Sequence, residues 1–222
     1  METVIRIFIY IHAFFGGIGL VAGMASILLK KGNVLHQKAG KIFSVSMIVN
    51  SLIILPICWM PKHQNIFLFL IGIFTIYLVL SGNRALNYRF QTNAEWIDKL
   101  LSGSMLFFSL IMLLLGAYSQ INNIVNGILF TIFGAIGAYL SIKDFIFYKN
   151  FSVNNKKWLV KHAGMMTGAF TASITAFIVA GLNISNLIVW IAPGILGGIY
   201  TFYWSKKLSP KKKHQQENVL RN

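Results

Sequence analysis

Seven long apolar stretches, divided by short polar connections, leave this chain a lipid bilayer as its solvent. A hydrocarbon slab of about 30 Å takes about 20 apolar residues in helical form, because lipid offers the backbone no hydrogen-bond partner. The first stretch lies between Arg6 and Lys30, and the others run over about 42–60, 66–82, 100–119, 124–142, 159–182 and 187–204. The expected fold is therefore all-α: a polytopic bundle of seven transmembrane helices forming one membrane domain over 1–204, followed by a basic tail over 205–222. A cleaved signal peptide is the competing reading at the N-terminus, since Gly23-Met24-Ala25 is a tolerable cleavage motif. The apolar run is too long for that, and Lys30-Lys31 reads as the anchor of a retained helix.

Charge placement supplies an orientation. The net charge is +15, from 20 basic and 5 acidic residues. When the connections are assigned alternately to two sides, one side collects Lys30, Lys31, Lys38, Lys41, Arg84, Arg89, Lys99, Lys143, Lys149, Lys156, Lys157, Lys161 and the tail residues Lys206, Lys207, Lys211, Lys212, Lys213 and Arg221. The other side holds only Arg6 and Lys62. Short loops rich in Lys and Arg are retained in the cytoplasm, so the N-terminus is expected outside and the C-terminus inside. Trp59, Tyr118 and Trp190 mark the outer boundary and Trp158 and Trp204 the inner one. The basic excess belongs to the membrane surface, where anionic lipid headgroups are the expected partner, and not to nucleic acid. The single cysteine, Cys58, excludes an intramolecular disulfide and a CxxC metal or redox site.

Helices in lipid associate through close backbone approach, so small residues four apart mark interfaces. Gly19 with Gly23, Gly164 with Gly168, and Gly194 with Gly198 are such pairs. The sixth stretch adds an uncharged polar stripe of Thr167, Thr171, Ser173 and Thr175. Asn50 and Asn126 are further uncharged hydrogen-bonding groups in the slab. Pro56 and Pro193 stand near the outer helix ends.

No Asp, Glu, Lys or Arg falls well inside an apolar stretch, which speaks against a voltage sensor and against a proton- or sodium-coupled carrier built on buried carboxylates. The candidates for chemistry are the histidines. His12 lies about 9 Å into the slab from the outer side, and His162 stands at the inner end of the sixth span, roughly 20 Å away along the normal. His36, just before the second span, reaches the level of His162. His36 and His162 can therefore form an inner pair, with Met166 one turn beyond His162 as an alternative ligand, and such a pair is what a bis-His haem b or a metal ion requires. The alternative is hydrogen bonding of these histidines to phosphates, loop carbonyls or each other, with His12 bonded across a helix interface. A small-solute transporter would use Asn50, Thr171 and Thr175 with the glycine-rich first and last spans. An assembly partner needs no site.

The patterns His12-x3-Gly16, Leu35-His36-x3-Gly40, Ser81-Gly82-x-Arg84-Ala85, Trp158-x3-His162-x3-Met166-x-Gly168, Thr171-Ala172, Thr175-Ala176-Phe177 and Trp190-x2-Pro193 resemble the domain-of-unknown-function 2306 family, in a variant associated with Bacteroidetes. The resemblance extends over most of the chain up to Trp204. It implies a multi-pass protein of the bacterial cytoplasmic membrane and supplies no activity. The histidine arrangement is also faintly similar to haem-b bundles of the cytochrome b561 kind, which place paired histidines inside facing helices.

Overall fold

The structure is a computed structural model and describes residues 2–124, 127–151, 156–184 and 186–208. It is all-helical over those residues, with α1 (Glu2–Leu28), α2 (Val34–Ile57), α3 (Ile66–Arg84), α4 (Trp96–Ile121), α5 (Gly127–Lys149), α6 (Lys157–Ala176) and α7 (Leu187–Leu208). A 3-10 turn (Ala85–Arg89) prolongs α3, and a π-helical turn (Phe177–Gly181) prolongs α6. All seven helices are long and apolar enough to cross a membrane. Their outward residues, such as Val21, Leu114 and Ile188, are aliphatic and exposed. Such a surface suits lipid.

Helix starts follow from side chains that occupy the orphan backbone donors. Asn33 caps α2 by accepting from His36 N, Asn65 caps α3 by accepting from Leu68 N, and Asn186 accepts from Val189 N at the start of α7. Glu95 and Asp98 form a reciprocal capping box on α4. Tight turns at the far end use left-handed Lys62 and Asn123, with φ of 67° and 53°.

α3 is the central helix and packs against α2, α4, α5 and α6. The other helices associate mainly as pairs, α1 with α2, α4 with α5, and α6 with α7. One apolar core gathers Phe43, Met47, Leu78, Met105, Met165 and Phe170. A second gathers Phe67, Leu70, Met112, Leu129 and Phe130, with Trp190 of α7 edge-on to Phe67 at 5.2 Å.

The glycine signal holds for two pairs and shifts for the third. Gly23 lies so close to Phe170 and Phe43 that a Cβ would collide with both rings, and Gly19 lies against Met47. Gly164 and Gly168 face Thr201 and Leu78. Gly194 and Gly198 face open space, and it is Gly197 that meets Thr171. Only one face of α7 is covered, and Gly197 is on it.

Helices also run past the apolar stretches at the end where the basic residues collect, here called the basic end. α2 begins at Val34 instead of about 42, α4 at Trp96 instead of about 100, and α5 continues to Lys149 instead of about 142. Hydropathy follows contact with lipid, whereas a helix continues as long as its backbone is paired and its end capped. α7 reaches Leu208, past the expected domain boundary at 204. Asn126 and the tail residues Lys211, Lys212, Lys213, His214 and Arg221 lie outside the described residues.

Candidate functional sites at the basic end

All three membrane histidines are fixed in the same way. His12 Nδ1 lies 3.0 Å from Asn50 O of α2, His36 Nδ1 lies 3.0 Å from Ser26 O of α1, and His162 Nδ1 lies 2.8 Å from Gly82 O of α3. A carbonyl oxygen only accepts, so each Nδ1 carries a proton, and the neutral form of each ring has its lone pair on Nε2. Met166 Sδ and Met165 rest on the Gly82 backbone that also receives His162. His12 is a separate centre with Asn50, whose Oδ1 is buried and unpartnered beside Gly16. The predicted separation of His12 from the inner pair agrees with this placement, and His63 is exposed in the α2–α3 connection.

The threonine stripe turns its hydroxyls back on its own helix. Thr171 Oγ1 donates to Gly168 O and Thr175 Oγ1 to Thr171 O, both at 3.0 Å. A groove of about 470 Å³ does run between α6, α7 and the end of α1, along Thr167, Thr171, Ile174, Pro193 and Leu196. Its walls are apolar, and the Thr171 hydroxyl along it is already satisfied by its own helix.

No charged residue lies well inside an apolar stretch, but ions are buried at the helix ends. Asp144 of α5 and Lys161 of α6 form an ion pair at 2.6 Å, with side chains only 4% and 8% exposed. Asp144 Oδ2 also accepts from Tyr77 and Ser102 at 2.9 Å and from Ser81 at 3.3 Å. Lys161 Nζ donates to Tyr148 Oη at 3.2 Å and faces the rings of Tyr148, Tyr88 and Phe147. Beside this pair, Arg84 grips Asp98 through both Nε and Nη2 and reaches Glu95 at 2.8 Å. Asp98, 1% exposed, further accepts from Tyr88 Oη and from the Glu95 amide, each at 2.9 Å. Tyr148 Oη joins the two groups, lying 3.0 Å from Ser102 Oγ and 3.5 Å from both Tyr88 Oη and Asp144 Oδ2.

Arg84, Asp98 and Asp144 were missed because each stands just outside an apolar stretch, and Lys161 because, two residues into the sixth, it reads with the loop lysines before it. One signal was present: Ser141, Asp144 and Tyr148 share a face at helical spacing. Recognising it requires α5 to continue beyond 142.

The fit of a haem is poor. A haem between His36 and His162 needs a broad slot, while Met165 and Met166 fill the space above Gly82. Two grooves on the bundle, along α6–α7 and on the α1–α2 face, are lined by neither histidine. A single ion between two Nε2 atoms needs no slot. No family model, curated protein or solved structure matches the chain.

Proposed function

We propose that this multi-pass membrane protein binds a first-row transition-metal ion at its basic end, between His36 and His162. The observation that carries the reading is the pair of Nδ1 bonds to Ser26 O and Gly82 O. Metal-bound imidazoles are commonly held by their second nitrogen in this way, which orients the ring and leaves the other lone pair for the ion. Imidazole suits zinc, copper, iron and nickel. The Met166 thioether, already at Gly82, offers a soft third donor. In this proposal the basic end is cytoplasmic, against anionic lipid headgroups, and the membrane is a bacterial inner membrane, as the family resemblance implies.

Elemental analysis and absorption spectroscopy of the protein purified in detergent test the reading. The expected result is a bound metal that is lost in both His36→Ala and His162→Ala and kept in His12→Ala. A Soret band would replace the ion by haem b. Metal-free protein that also fails to take up Zn²⁺, Cu²⁺ or Fe²⁺ on addition would overturn the proposal.

A further inference from the structure

Ionisable side chains inside a helical membrane bundle are costly and are retained where they handle ions or protons. Asp144, Lys161, Arg84 and Asp98 come from four different helices, and the histidine site uses none of them. The groups facing Asp144 come from every element packed there. Those in contact with it are Tyr77 and Ser81 of α3, Ser102 of α4, Tyr148 of α5 and Lys161 of α6, and next to them lie Arg84 of α3, Tyr88 of the 3-10 turn, and Glu95 and Asp98 at the start of α4. Three carboxylates (Glu95, Asp98 and Asp144) stand against two cations (Arg84 and Lys161), so the cluster is one proton short of neutrality.

A route for that proton is present. Glu95 is half-exposed and shares Arg84 with Asp98. Asp98 Oδ1 meets Tyr88 Oη, Tyr88 Oη meets Tyr148 Oη, and Tyr148 Oη meets Asp144 directly and through Ser102. Each step from Asp98 to Asp144 is within 3.5 Å, and hydroxyls can accept one proton while giving up another; Arg84 holds the outer end of the chain and passes no proton itself. Lys161 has other support once Asp144 is neutral, because its ammonium lies 4.8 Å from the Tyr148 ring centroid and 5.5 Å from that of Tyr88.

We propose that Asp144 is a proton-binding site in exchange with the aqueous phase at the basic end through Asp98, Tyr88 and Tyr148, and that Lys161 is the cation it releases on protonation. In balance, one proton leaves water and one O–H bond forms on Asp144. Each tyrosine recovers the proton it passes on, Lys161 keeps its three N–H bonds, and no electrons are transferred. The pair ties α6 to α5, two helices with little other mutual packing among the described residues, so protonation removes the ionic tie between them while α6 stays packed on α3.

The chain has only two aspartates, which makes the test direct. With the full chain in lipid vesicles and ¹³C at Asp Cγ, lowering the pH on the basic side moves one carboxyl signal to its protonated position. That signal is absent in Asp144→Asn and present in Asp98→Asn. Tyr148→Phe leaves the protonated state attainable and slows its exchange about a hundredfold, the scale of a lost proton-transfer group. Should Asp144→Asn fail to fold, Asp98→Asn carries the assignment, since its single remaining signal is Asp144, and wild-type protein with Tyr148→Phe carries the route. Two aspartates that stay ionised until the protein unfolds would overturn the site. Exchange at the wild-type rate in Tyr148→Phe would overturn the route.

Discussion

Lys161 and His162 are consecutive in α6 and serve different centres. Lys161 turns to α5 and meets Asp144 among hydroxyls from three other helices, so the carboxylate and ammonium are satisfied by side chains. His162 turns to α3 and gives one N–H to a backbone carbonyl, which leaves its other nitrogen without a bond among the described residues. The ionic centre is closed and has gained its ligands from the protein itself. The histidine centre is half-open and has a ligand atom to spare. A buried ion tolerates no missing partner, whereas an imidazole fixed on one side is neutral and can wait for an external one.

The sharpest way to break this comparison is to remove Lys161. Lys161→Met leaves Asp144 buried without its cation and is expected to cost about 3–5 kcal/mol, read by denaturant or thermal unfolding in detergent. Asp144→Asn combined with Lys161→Met should be more stable than Lys161→Met alone, because the orphaned charge is gone. Equal stability of the two variants would deny the coupling.

Gly82→Ala tests whether the two centres depend on one α3–α6 contact. Its Cβ meets Met165 and Met166 side chains, and an expected loss of about 1–3 kcal/mol should come with weakened metal binding. An unchanged affinity would show that the histidine site tolerates separation of those helices.

His162→Ala is expected to lower stability by only about 1 kcal/mol, one hydrogen bond's worth, while abolishing the proposed metal site. A loss as large as that of Lys161→Met would place the two residues in one structural unit. The smallest effect belongs to Thr171→Val, whose hydroxyl bonds its own helix. The expected change is below about 0.6 kcal/mol in the same unfolding measurement.

The sequence reading of the site was half sufficient. His36 and His162 were assigned to one end of the bundle by depth alone, since position along a helix converts directly to height, and their backbone partners Ser26 O and Gly82 O were not foreseen. Asp98 and Asp144 escaped it because hydropathy ends a span where lipid contact ends, and both aspartates lie in the helical turns beyond that point. The threonine stripe could back-bond to its own helix or bridge to a neighbour, and the structure gives the Thr171 and Thr175 hydroxyls to their own backbone.

What the sequence determined by itself was the number of helices, their order, and the height of each polar group, because these are local consequences of a backbone that must satisfy itself in lipid. Only the tertiary structure decided which polar groups meet. Whether Lys161 finds Asp144, whether His162 finds Gly82, and whether Gly197 or Gly194 touches a neighbour depend on the rotation of each helix about its axis. That rotation is set by packing among seven helices, and no single stretch of sequence contains it.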